Sequence, residues 1–241
     1  MTELNAFLTQ LLELRRRLLY CVGTIAILFL CCYPFSNYLY DFLANPLLHY
    51  LPNDKGQLVA IDVLSPFTVP LKLTILVSLG LAIPLIAWQL WRFVAPGLYE
   101  KEKKLVAPLI VVSSLLFYSG ILFAYFLVLP LIFQFIIYTT PSNVHLMTDI
   151  SVYLDFVLTL FFAFGFAFQI PIIIVLLLKC QVLSLDQLKK QRPYVIIGAF
   201  TLGMLLTPPD IFSQTLLAIP LYLLFEMGLL WGWVLMRNKD V

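Results

Sequence analysis

Apolar residues in this chain gather into runs of about 20, the length at which an α-helix rising 1.5 Å per residue crosses a hydrocarbon core about 30 Å thick. Composition agrees with that reading. Of 241 residues, 62% are hydrophobic and only 12% charged, and the mean hydropathy is +0.98. Soluble domains of this size do not have such values. The chain reads as a polytopic membrane protein of the all-α class.

Six spans are predicted, at 18–38, 70–92, 105–137, 152–178, 193–207 and 212–235. Cations fall on alternate connections. Arg15, Arg16 and Arg17 precede the first span; Arg92, Lys101, Lys103 and Lys104 follow the second; Lys179, Lys189, Lys190 and Arg192 follow the fourth; Arg237 and Lys239 follow the sixth. The opposite connections hold only Lys55, with Lys72 just inside the second span. By the positive-inside rule both termini are expected in the cytosol. The spans are unequal: the third is about 50 Å as a helix and the fifth about 22 Å. A stretch that short favours a thinned bilayer or burial against neighbouring helices. Prolines at 84, 108, 130, 171 and 220 each remove a backbone donor and tend to bend a helix.

The expectation is one transmembrane domain over 1–241. Residues 1–17 form a cytosolic amphipathic helix, 39–69 an extracytosolic cap loop, and 93–104 and 179–192 cytosolic loops. The N-terminal stretch has no small-residue cleavage pattern and reads as a retained helix. Its Leu4, Phe7, Leu8, Leu11 and Leu12 make one stripe suited to a membrane surface. The connection 39–69 carries Pro and Gly punctuation and is either an ordered cap or a loose loop. Cys21, Cys31, Cys32 and Cys180 lie in or beside apolar runs without CxxC spacing, so neither zinc nor a disulfide framework is expected.

No phosphate-binding loop, HExxH, GxSxG or GxGxxG pattern occurs, which leaves nucleotide-driven and hydrolytic chemistry without residues. His49 and His145 have no partner spacing for a metal or a base. The cytosolic carboxylates are more informative. Glu13 either pairs with Arg17 at i,i+4 and Glu102 with adjacent lysines, or the two accept a cationic ligand. A carboxylate takes a guanidinium through two parallel hydrogen bonds where lysine offers a point charge, so such a site would tell paired arginines from paired lysines. Within the spans, Gln169 and Glu226 are polar groups that must face protein or water. Gln169 suits an interhelical hydrogen bond, Asp210 a helix N-cap, and Glu226 must be protonated, paired or hydrated.

The stretches Glu13-Leu-Arg-Arg-Arg-Leu18, Ser65-Pro-Phe-Thr-Val-Pro-Leu-Lys-Leu73, Trp91-Arg-Phe-Val-Ala-Pro-Gly-Leu-Tyr-Glu-Lys-Glu102, Phe123-Ala-Tyr-Phe126 with Pro130, Arg192-Pro-Tyr194, Thr207-Pro-Pro-Asp-Ile-Phe-Ser-Gln214 and Ile219-Pro-Leu-Tyr-Leu-Leu-Phe-Glu226 resemble the TatC family, subunits of the twin-arginine protein translocase, over nearly the whole chain. The resemblance implies a six-span, cup-like receptor for folded precursors whose signal peptides carry paired arginines, driven by the proton gradient. It implies that Glu13, Arg15, Phe93 and Glu102 receive the signal peptide. It implies that Met204, Thr207 and Gln214 lie where the single-span partners TatA and TatB dock, and that Pro46 and Asp210 match outer-side positions. Many relatives carry glutamate where this chain has Gln169, which puts in doubt any role there that needs charge.

The residues and the resemblance together lead to the expectation of a non-enzymatic signal-peptide receptor and translocase core in a bacterial cytoplasmic (inner) membrane. Its expected partners are signal peptides, TatA, TatB, further copies of itself and lipid, with no nucleic acid, metal or cofactor. The alternatives are a small-molecule secondary transporter using Gln169 and Glu226 as a midplane site, and an intramembrane enzyme, for which no nucleophile and base pair is visible.

Overall fold

The computed structural model describes residues 2–50, 56–94, 106–139, 146–180, 182–207 and 211–237. In chain order these form α1 (Thr2–Cys32), a 3-10 turn (Tyr33–Phe35), α2 (Ser36–Tyr50), β1 (Gly56–Val59), α3 (Ser65–Val94), α4 (Val106–Phe123), a π-helical turn (Ala124–Val128), α5 (Leu129–Thr139), β2 (Leu146–Asp149), α6 (Ile150–Ala167), α7 (Ile170–Lys179), α8 (Leu185–Lys190), α9 (Arg192–Leu206) and α10 (Ile211–Arg237). The two strands pair with each other. Among the described residues, five helical stretches are long and apolar enough to cross a membrane: Leu12–Ala44, Ser65–Leu90, Pro108–Thr139, Ile150–Lys179 and Ile211–Leu235. The shorter apolar helix Arg192–Leu206 makes the sixth. Within a bilayer a helix satisfies every backbone amide internally, which is why apolar runs of this length fold this way.

Boundaries differ from the expectation at three places. Residues 2–17 run into the first span without a break, because α1 is one helix to Cys32. It ends where Pro34 enters a 3-10 turn and withholds the amide that Leu30 would have bonded. The connection 39–69 is largely ordered: α2 continues to Tyr50, β1 follows, and α3 starts at Ser65. Pro66 stands in the first turn of α3, where its missing amide costs nothing, so it opens a helix rather than marking a turn. The connection 179–192 contains α8, whose Ser184 and Gln187 close a reciprocal capping box that satisfies two orphan amides.

Two prolines shape the long spans. Pro130 cannot donate to the carbonyl of Phe126, and the helix widens into the π turn just before it, with the amide of Leu129 reaching the Ala124 carbonyl. Such one-turn bulges absorb a register change without ending the helix. Pro171 likewise coincides with the break between α6 and α7, a turn at Phe168 and Gln169. The Gln169 amide there turns back to the Phe166 carbonyl at 2.9 Å.

The chain divides into two compact units. The first comprises residues 1–45, 58–115 and 148–154. Here α1 packs along α3, Leu73 and Ala82 are fully buried, and the hydroxyls of Thr74 and Ser78 donate to the carbonyls one turn back, Pro70 and Thr74, each at 2.7 Å. Asp149 caps α6 by accepting the Ser151 amide at 3.2 Å, and the Ser151 hydroxyl meets that of Ser65 at 2.9 Å. Tyr153 donates to the Leu43 carbonyl at 2.5 Å, tying α6 to α2.

The second unit comprises residues 46–57, 116–147 and 155–241. One part of its core is aromatic: Phe117 and Phe164 are buried, and the helices approach so closely that a Cβ on Gly120 would lie 2.6 Å from the Phe164 carbonyl oxygen. Another part is the cluster of Ile174, Leu178, Leu188, Phe225 and Leu229, which holds α7, α8 and α10 together. Apolar side chains such as Leu30, Leu115 and Leu205 point outward, as hydrocarbon-facing residues should.

Candidate functional site

Glu13 lies on α1 one turn before Arg17, the geometry in which i,i+4 partners meet. Arg17 donates through Nε to Glu13 Oε1 at 3.1 Å, its Nη2 reaches the same oxygen, and its Nη1 donates to the Gln89 carbonyl of α3 at 3.2 Å. The arginine is thus a clamp between α1 and α3. Its side chain is 16% exposed while that of Glu13 is 44% exposed. Among the described residues Oε2 of Glu13 has no hydrogen-bond partner. A carboxylate held by one oxygen and open at the other suits an incoming cation, since the remaining lone pairs are already oriented. Arg16 turns elsewhere, donating to the Tyr20 hydroxyl at 3.3 Å with its guanidinium 5.7 Å from that ring's centre. Arg15 is exposed on the same helix.

The remaining residues expected at this site cannot be joined to Glu13. Residue 93 falls in the last turn of α3, but the Phe93 side chain and all of Glu102 lie outside the described residues. On the outer side, Pro46 falls within α2 with its side chain likewise outside them, and so does the whole of Asp210.

A second group of expected residues lies in the second unit. Thr207 caps α9, its hydroxyl donating to the Gly203 carbonyl at 2.9 Å, and is buried. A Cβ on Gly203 would come within 3.2 Å of the Gln214 carbonyl oxygen. That close approach seats α9 on α10 and brings Thr207, Gly203 and Gln214 to the same end of the hairpin, while Met204 projects outward at 61% exposure. Gln169 donates to the Gly165 carbonyl one turn back, at a long 3.4 Å.

Glu226 is paired. Arg192, the first residue of α9, donates through Nη2 to Glu226 Oε2 at 2.8 Å, and Tyr222 donates its hydroxyl to Oε1 at 2.7 Å. Of the three states the sequence allowed for this carboxylate, the ion pair is the one seen. Sequence reasoning missed the partner because the two residues are 34 apart; only the Tyr222–Glu226 spacing of four was legible. Gln169 and Glu226, which a solute transporter would need at one shared site, each have a local partner instead. No group of three or more metal-ligating side chains occurs among the described residues.

Comparison with known proteins agrees with this arrangement. The family model described as Sec-independent protein translocase protein (TatC) matches residues 9–220. The Sec-independent protein translocase protein TatC of Escherichia coli is 52% identical over 94% of this chain and 87% of its own length. That of Haemophilus influenzae is 48% identical over 95% and 89%. A crystal structure of the twin-arginine translocase receptor TatC superimposes with a TM-score of 0.82 at 36% identity, covering 93% of this chain and 98% of that one. A second, in DDM, gives 0.84 at 36% identity, with 92% and 99% covered. Each of these relatives is named as a translocase protein or translocase receptor. A family match spanning most of the chain, high identity and a shared helical architecture lead to one conclusion: this chain belongs to the TatC family of Sec-independent protein translocase proteins.

Proposed function

We propose that this multi-pass membrane protein is the receptor and core of a translocase that exports folded proteins bearing twin-arginine signals across a bacterial cytoplasmic membrane. The observation that carries the reading at the residue level is Glu13, held by Arg17 through one oxygen, with its side chain 44% exposed. In this reading Glu13 and Glu102 receive the guanidinium pair, with Arg15 and Phe93 beside them. Both termini lie in the cytosol, as the alternating cations imply. The chain binds and positions rather than catalyses, and the proton gradient supplies the work. Met204, Thr207 and Gln214 near the α9–α10 turn mark the region where TatA and TatB dock, Pro46 and Asp210 serve the outer side, and copies of the chain associate with one another. Gln169 supplies a neutral polar contact for a partner helix or the apolar part of the signal.

A photo-crosslinker at Leu14, an exposed neighbour of Glu13, tests this in membranes containing the whole translocase. A precursor with an Arg-Arg signal should form adducts that a Lys-Lys precursor does not, and Glu13→Ala should abolish them. Equal adducts from both precursors would contradict the assignment.

A further inference from the structure

We infer that the α8–α9 corner is a binding site for the headgroup of an anionic phospholipid, whose chains lie along the start of α9. This goes beyond signal reception and uses none of its residues.

The inference starts from helix length. α9 has 15 residues, about 22 Å of helix, and cannot span a hydrocarbon core of about 30 Å unaided. Its first residue, Arg192, is fixed laterally by Glu226, and α10 continues another eleven residues past Glu226 to Arg237. The basic end of α9 is therefore set back from the end of its neighbour. Headgroups beside it must dip toward Arg192 or leave apolar surface exposed to water.

Charge then selects which headgroup. Lys189 and Lys190 form the last turn of α8, directly before Arg192, and Lys179 ends α7. Lys189 has Asp186 at 3.7 Å, an exposed and loose pair. Lys190 has no carboxylate partner among the described residues. Arg192 is 45% exposed and commits only Nη2 to Glu226; Nε and Nη1 have no partner among the described residues. A planar guanidinium with unused donors and a flanking ammonium fit phosphate oxygens. Just beyond them the exposed surface of α9 turns apolar at Tyr194 and Ile197, 74% and 63% exposed. A phenol at the level of the headgroups followed by an aliphatic residue is the order in which a lipid presents itself. Basic clusters at the membrane edge of a helix are attractive to anionic lipids.

The test uses the full-length chain in nanodiscs of mixed phosphatidylglycerol and phosphatidylcholine, with retained lipid counted by native mass spectrometry. The wild type should retain phosphatidylglycerol preferentially. Each lysine removed in Lys189→Gln and Lys190→Gln should lower the preference about fivefold at low salt, less as salt screens the site. Both residues are exposed, so these variants should fold. Millimolar inorganic phosphate should not displace the lipid. Equal retention of the two lipids by the wild type, an unchanged preference in the double variant, or displacement by free phosphate would each overturn the inference; the last would mark a plain anion site.

Discussion

At the residue scale, what could be read from the sequence was what lies within one helical turn. Glu13 and Arg17 are four apart on a helix, and they meet; Tyr222 and Glu226 are four apart, and they meet. Arg192 and Glu226 come together only once α9 folds back on α10, and nothing local announces it. The pair is partly exposed, so its net worth is modest, but removing one member strands the other at the membrane. Glu226→Leu should lower stability by about 1–3 kcal/mol. The double variant Arg192→Leu, Glu226→Leu should recover part of that loss in a thermal-unfolding cycle. Strict additivity would show that the two side chains do not interact. Gln169→Glu replaces a donor whose bond to the Gly165 carbonyl is long, 3.4 Å, and a protonated carboxyl can still donate there. Export assayed in cells should be retained, and complete loss would show that charge at this position is harmful in this chain.

At the element scale, span number followed from run length, while span ends did not. Proline is ambiguous in sequence: Pro66 opens a helix, Pro130 follows a π turn and Pro171 starts a new segment, and only the surrounding hydrogen bonds distinguish the three. Glycines in long helices are equally mute until their neighbours are known. A Cβ on Gly228 would meet the backbone of Pro171 at 2.9 Å and Ile174 Cδ1 at 2.6 Å, so Gly228→Ala must push α10 from α7. That overpacking should cost about 1–3 kcal/mol. At Gly232 the obstacle is only the tip of Leu178, which can rotate away, so Gly232→Ala should cost less. Melting temperatures in detergent would rank them, and the reverse order would contradict the packing described. The short α9 carries a further prediction. One apolar turn inserted within 193–207 should impair export if a thinned bilayer matters, beyond the effect of breaking the Arg192–Glu226 pair by Glu226→Leu alone. Normal export would remove that idea.

At the scale of the whole molecule, apolar run length and composition carried the class, and the motif order carried the family. The motifs named Glu102 as the second carboxylate beside Glu13, but its distance from Glu13 did not follow from the sequence, because Glu102 belongs to a stretch with no apolar period to place it. Reporter fusions at residues 1 and 241 should both report the cytosol; an outward C-terminus would contradict the six-span topology. The central claim is that this chain reads arginine by carboxylate geometry rather than by charge. The most direct measurement is the affinity of the purified full-length protein, in nanodiscs, for an Arg-Arg signal peptide and its Lys-Lys counterpart. The same pair is then measured on a folded Glu13→Ala, Glu102→Ala variant. The account predicts a wild-type preference for Arg-Arg of about tenfold or more, equivalent to roughly 1.4 kcal/mol, that disappears in the variant. If both proteins bind both peptides alike, Glu13 is only Arg17's partner and the receptor site lies elsewhere.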